Sequence, residues 1–143
     1  MAYLHWKSIE SHYQLFADDI LLVTCQLSDR KFTIDQTSYS INNDNNTFIC
    51  YEIKNDIEIA QLELNQQEGK IYFKDQITYT FNLETSSITV YSLDNLVFSL
   101  SCHSNQFSIQ TGIAVFEADL FLLLVGFVFT FFADKNLKQT INF

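Results

Sequence analysis

Ile77, Tyr79, Phe81 and Leu83 alternate with Thr78, Thr80 and Asn82. Leu96, Phe98, Leu100 and Cys102 alternate with Val97, Ser99, Ser101 and His103. Leu21, Val23, Cys25 and Leu27 alternate with Leu22, Thr24 and Gln26. A period of two puts one set of side chains on a core face and the other in water, as in half-buried antiparallel strands. Weaker stretches of the same kind are Phe32/Ile34, Tyr39/Ile41, Ile49/Tyr51/Ile53, Ile71/Phe73, Ile88/Val90 and Phe107/Ile109. With two pieces around residues 3–7 and 12–16, about twelve strand-like segments fill residues 3–111, at the short regular spacing of a barrel or sandwich. In residues 57–64 the pattern changes phase near Ala60, with Ile57 and Ile59 on one parity and Leu62 and Leu64 on the other. A bulge there restores a single inward face.

The stretch 120–133, LFLLLVGFVFTFFA, breaks with everything before it. It is apolar all round, with Thr130 as its one weak interruption. It is too long for a strand of about 5–6 residues, so it reads as a helix over about 116–134. Glu117 and Asp119 suit the positive end of the helix dipole, and Lys135 and Lys138 follow its negative end. Asn136 is the expected C-cap. A helix with no polar face must be enclosed by protein or by lipid. A membrane span takes roughly 20 apolar residues. Extending the run backwards to reach that length brings in Glu117 and Asp119, which are costly in hydrocarbon. Enclosure by protein also solves a second problem. A barrel of about twelve strands is too wide for its own side chains to fill, and a wholly apolar helix is a suitable plug. Leu122, Leu123, Val125, Phe127 and Phe129 are therefore expected to be inaccessible and ringed by strands.

Composition narrows the reading. The 143 residues suffice for one domain, and 48% are hydrophobic, which excludes disorder. There is no Pro and there are three Gly, so turns fall to Asn, Asp and Ser at 43–46, 55–56, 94–95 and 104–105. The net charge of −9 has the wrong sign for nonspecific nucleic-acid binding or anionic lipid. The chain starts with no basic region followed by an apolar block, so no signal peptide is expected. Cys25, Cys50 and Cys102 are widely separated, and their spacing implies neither a disulfide framework nor a metal site. Cys25 and Cys102 fall on inward parities, as small buried hydrophobes of a reducing compartment do, whereas Cys50 sits between two readings of its strand.

No catalytic signature emerges. His5, His12 and His103 have no second His or Cys pair within local reach, and surface or strand-end positions suit all three. There is no GxSxG, no Gly-rich phosphate loop and no metal-ligand spacing. The pairs Asp18-Asp19, Glu52 with Asp56, and Glu58 with Glu63 read as solvated positions. Four residues remain as weak ligand-binding candidates. Lys70 and Lys74 share one strand face and suit a phosphate head group. Glu117 and Asp119 fall at one barrel mouth, where a cation or ligand contact competes with simple dipole stabilisation.

The run of strands followed by IQTGIAVFEADLFLLLVGFVFTFFAD over residues 109–134 resembles the tubby C-terminal-like superfamily. That superfamily includes tubby-like proteins, phospholipid scramblases, plant LURP-one-related proteins and small bacterial relatives. Asp119 stands where small bacterial and plant members often carry an Asp before the apolar run. The likeness in architecture covers the whole chain, but the likeness in residues is confined to this segment. The resemblance implies a closed antiparallel β-barrel around a central C-terminal hydrophobic helix. It also implies a non-catalytic binding or scaffold role. Tubby-like domains bind phosphoinositides through clustered basic residues. Here the cluster is thin, so that site is not carried over. The expectation is a single cytoplasmic domain over 1–143 without cofactor, with an unidentified protein or lipid partner. The alternative function is a membrane-associated lipid-binding protein using the helix or a head-group site. A carboxylate enzyme at a barrel mouth ranks third. The alternative fold, a smaller barrel capped by a helix as in pleckstrin-homology domains, would need an amphipathic helix.

Overall fold

The computed structural model describes residues 3–10, 12–74, 77–112 and 118–141, with side chains for all of these except 118 and 135–141. Twelve strands run in chain order: β1 (Leu4–Ile9), β2 (His12–Ala17), β3 (Ile20–Gln26), β4 (Lys31–Ile34), β5 (Thr37–Asp44), β6 (Thr47–Glu52), β7 (Ile57–Asn65), β8 (Glu68–Phe73), β9 (Thr78–Leu83), β10 (Ser87–Ser92), β11 (Asn95–His103) and β12 (Gln106–Thr111). One helix follows, α1 (Ala118–Ile141). Each strand pairs antiparallel with the next, giving one twelve-stranded sheet in sequence order. β12 comes back beside β1, but among the described residues no ladder joins them. The result is a nearly closed up-and-down barrel with one seam.

The helix occupies the interior. Every residue from 124 to 133 is buried, whichever way it points. Its neighbours come from around the whole barrel. Trp6 of β1 stacks on Phe129 with ring centroids 3.7 Å apart. Tyr13 of β2 and Phe107 of β12 also meet Phe129, at 5.7 and 4.9 Å. Phe48 of β6 and Phe81 of β9 both meet Phe131, at 4.8 and 6.3 Å. The ring of Phe32 on β4 fills the space where Gly126 lacks a Cβ. This close approach explains a glycine in a helix interior, where it costs about 1 kcal/mol of propensity. Thr130 is the one buried polar side chain in the described core, and its hydroxyl donates to the carbonyl of Gly126 at 2.8 Å.

The helix departs from expectation at both ends. It runs on to Ile141, so Asn136 does not cap it. Lys135, Leu137, Lys138 and Gln139 are good helix formers, and no Gly or Pro stops them. At the other end, Leu122 and Leu123 are half-buried rather than inaccessible, whereas Val125, Phe127 and Phe129 are buried as expected. The first turns stand in the barrel mouth, and full enclosure begins at Leu124. Glu117 lies outside the described residues.

Three extra residues bend the sheet. Val23 pairs with Leu15 and Leu21 with Phe16, leaving Leu22 over. Ala60 pairs with Cys50 and Glu58 with Tyr51, leaving Ile59 over. Phe98 pairs with Val90 and Leu96 with Tyr91, leaving Val97 over. Bulges increase the local twist and curl a sheet, and these fall on β3, β7 and β11, every fourth strand. The bulge expected near Ala60 is there. By register Ile57 then shares the inward face with Ala60 and Leu62, but it is the first residue of its strand and is exposed at the rim. Leu21 is turned outward beyond Leu22, against the uninterrupted alternation of its sequence. In β6 the inward parity is that of Phe48 and Cys50, which settles the placement of Cys50.

The enclosure predicts a graded response to charge. Val128→Asp places an unpaired carboxylate where nothing can solvate it, at a cost of several kcal/mol against a total stability of about 5–15. Soluble expression should be lost. Leu123→Asp, at the mouth, should remain soluble with a lowered melting temperature. Equal tolerance of the two substitutions, read by expression and thermal unfolding, would contradict a central helix.

Candidate functional site

An up-and-down barrel sends alternate hairpin turns to opposite mouths. Turns after β2, β4, β6, β8 and β10 lie at one end, together with the start of β1 and the end of β12. The helix begins there, so this is the entrance mouth. The other turns surround the exit mouth, where Arg30 and Asp134 form an ion pair at 3.6 Å. Half-exposed as it is, that pair is worth no more than about 1 kcal/mol.

Exposed apolar side chains are concentrated at the entrance. Among the described residues the large exposed hydrophobics are Tyr3, Ile9, Ile20, Leu21, Ile53, Ile57, Ile77 and Leu93. All but Ile9 belong to the entrance rim. Leu120, Phe121, Leu122 and Leu123 stand half-buried in the same mouth. Leu93 is 86% exposed and takes a left-handed conformation with φ 55. That geometry costs an L-residue with a Cβ roughly 1–2 kcal/mol, and Gly or Asn is the local choice. Of the other left-handed positions, Asp18, Asp35, Asn45, Asp56, Ser104 and Asn105 carry the short polar side chains such turns favour and Glu10, Arg30 and Gln66 longer polar ones, so Leu93 is the apolar exception among the described residues. Neither the turn nor the core accounts for a leucine at 93.

Carboxylates sit between these apolar residues. Asp18 and Asp19 precede Ile20, Asp56 precedes Ile57, and Asp94 follows Leu93. Asp35 and Asp119 are also exposed on this rim, and Glu52 is half-buried there. The described basic residues of the rim are Lys54 and Lys74. Their opposition to seven carboxylates leaves the mouth strongly negative. Tyr39 feels this field. Burial first, then the charges of Glu52, Cys50 and Asp119, hold its hydroxyl above the usual phenol range.

The candidates from sequence do not converge. Lys70 lies on the outer face of β8, opposite Glu63 of β7 and Thr80 of β9. It lines an outer groove of about 620 Å³ with Asn65, Glu68, Tyr72 and Asn82. Lys74 is in the turn after β8, roughly 13 Å further along at about 3.3 Å per residue, and does not line that groove. Two carboxylates beside one ammonium suit a phosphate poorly. Asp119 is at the entrance mouth, the end that also carries Lys74, whereas Lys70 is on the outer wall. Among the described residues, no group of three His, Cys, Asp or Glu could hold a metal, and no helix is long and apolar enough to cross a membrane. No family model, curated protein or solved structure matches the chain.

Reading by alternation missed the rim. It assigned Leu21, Ile57 and Ile77 inward, but these residues flank turns or bulges where alternation fails. The available signal was an apolar residue set directly against a turn acid, as in Asp19-Ile20, Asp56-Ile57 and Leu93-Asp94.

Cys25 and Cys50 are buried and inert in character, whereas Cys102, expected inside, is only half-buried near the end of β11. Desolvation pushes Cys25 up to about 12, opposed by a hydrogen bond with Thr130. Desolvation also pushes Cys50 up to about 12, and Cys102 is raised by burial. Both deeply buried thiols stay neutral in the fold when the unfolded chain already ionises, from the ordinary thiol value of 9.0 upward. Stability should therefore be unaffected by them below that pH. Above it, stability should fall by about 1.4 kcal/mol per pH unit per thiol until the folded protein ionises too. Urea unfolding across roughly pH 8–11, the range that brackets the usual thiol pKa, checks this, with Cys25→Ala/Cys50→Ala expected to flatten the decline. Native labelling should be slow at Cys25 and Cys50, which should react only after unfolding, and faster at half-buried Cys102.

Proposed function

We propose that this chain is a non-catalytic binding or scaffold domain of tubby-like fold, working in the cytoplasm and engaging its partner through the entrance rim. The observation that carries this reading is the gathering of exposed apolar side chains at one end of the barrel. The interior is occupied by the helix, so recognition belongs to the outside. Apolar side chains left exposed at one end of a folded domain, rather than scattered evenly over it, suit an interaction site. Leu93 is its clearest member, because its conformation and exposure both cost stability and return nothing to the fold.

Membrane association through the same rim is the second reading, since an apolar rim could also dip into a bilayer. The surrounding carboxylates count against it, because cytoplasmic leaflets are negatively charged.

Neutral apolar dye tests the docking surface. Nile red should bind the native protein, and Leu21→Ser/Ile57→Ser/Leu93→Ser should lose most of that signal while unfolding just as cooperatively. Leu93→Gly alone should weaken dye binding and raise the melting temperature by about 2–4 °C, from relief of roughly 1 kcal/mol of backbone strain. Dye fluorescence unchanged by the triple substitution would remove the basis for a docking rim.

A further inference from the structure

The partner's chemistry can be read from how charge and apolar surface are interleaved on the rim. The exposed apolar side chains are not a single oily patch. Asp18-Asp19 stands beside Ile20-Leu21, Asp56 beside Ile57, and Asp94 beside Leu93, on three turns around the mouth. All of these residues are exposed, so each apolar contact made by a partner brings the partner within a few ångströms of a carboxylate. We infer that the entrance rim docks a cationic amphipathic segment of another protein, with Leu- or Phe-type anchors flanked by Lys or Arg. The inference rests on the docking reading above and adds the partner's charge to it.

Three occupants compete, and charge separates them. A second copy of this chain would set one acidic rim against another, and such juxtaposed like charges suppress the pairing. An anionic bilayer meets the same repulsion. A basic amphipathic helix satisfies both components, laying its apolar stripe on the exposed side chains and its cations among the carboxylates. The part-exposed Leu120 to Leu123 supply apolar ground inside the ring of turns, and Asp119 stands at its edge. Charge of this kind raises association rate and selects between partners more than it adds raw affinity. It is also weakened by salt, because exposed charges are screened beyond about 8 Å at physiological ionic strength.

The test uses the full chain and four labelled synthetic peptides in fluorescence anisotropy. One is an amphipathic helix of Leu and Lys. The second carries Gln for each Lys, the third carries Glu, and the fourth keeps the Lys but has Ser for each Leu. The Leu/Lys peptide should bind saturably, weaken with added salt, and be at least about tenfold tighter than the Leu/Gln peptide. The Leu/Glu and Ser/Lys peptides should show no saturable binding. Leu21→Ser/Ile57→Ser/Leu93→Ser should abolish binding of the Leu/Lys peptide. Asp19→Lys/Asp94→Lys should retain Leu/Gln binding and lose the preference for Lys. Equal affinity for the Leu/Lys and Leu/Gln peptides overturns the charge inference while leaving the docking rim intact. Binding of the Ser/Lys peptide as tightly as the Leu/Lys peptide overturns it too, as simple attraction to an acidic protein. Sedimentation with phosphatidylcholine vesicles in place of peptide binding would assign the rim to a membrane. A concentration-dependent dimer abolished by the triple substitution would assign it to a second copy. No binding of any of these probes would sink the inference and the docking reading together.

Discussion

Residues 124–133 of α1 turn apolar surface in every direction, and that surface has to be hidden from water on all sides at once. A single layer of sheet covers one side of a helix, and a sandwich covers two. Only a sheet curled round on itself covers the whole circumference, and its size is then set by the girth of a helix with side chains, about 10–12 Å. Twelve strands surround such a core with room for one layer of inward side chains between wall and helix. That layer is largely aromatic, from Trp6 and Tyr13 through Phe32 and Phe48 to Phe81, Phe98 and Phe107. Large flat rings bridge a gap of this width with few rotatable bonds to immobilise. Burial of Phe127, Phe129, Phe131 and Phe132 is worth about 1.5–3 kcal/mol each, so the helix contributes a large share of the force that holds the wall around it.

The seam shows what happens where the wall lacks hydrogen bonds. β1 and β12 lie side by side without a ladder, and aromatic packing holds them instead. Phe107 of β12 reaches Tyr13 of β2 at 5.1 Å, and both touch Phe129, on which Trp6 of β1 is stacked. One cluster thus spans the seam and fixes it to the helix. The arrangement has a cost. The indole N–H of Trp6 is buried with no acceptor among the described residues, so stacking outweighs a hydrogen bond at this point. The three bulges complete the closure. Their recurrence on every fourth strand distributes the bend around the barrel, and the outward turn of Leu21 at the entrance follows from the same distortion.

Much of the architecture was legible in the residues, for definite reasons. Strict alternation over residues 77–83 identifies β9 because its outward positions are Thr and Asn, which leave no ambiguity about the face. The helix is legible because no strand is as long as its apolar run. Legibility ends where one observation has to stand for two. In residues 48–53 both parities are apolar, so inward Phe48 and Cys50 cannot be told from outward Ile49 and Tyr51 without the helix to fill one side. Beyond the bulge in β3 the parity reverses, and one-dimensional alternation carries Leu21 into the core by mistake, whereas Ile57 keeps the side expected of it but lies at the open rim. The candidate site was scarcely legible at all. The rim gathers residues from turns separated by dozens of positions, and only the up-and-down topology reveals that they share an end.

The chain order of wall and plug sets the order of assembly. All twelve strands are made before α1, and each can pair with its predecessor as it appears, since every ladder is between neighbours in sequence. Such local pairing is quick. Yet the inner face of that growing sheet has nothing to pack against until the helix has been synthesised, and during that interval it presents a broad, curved, aromatic-rich surface with two free edges. Exposed strand edges and apolar faces of this kind recruit other chains. The nascent protein therefore passes through a sticky half-pipe at every round of translation, and the helix that later closes the barrel is also what ends its exposure to other chains.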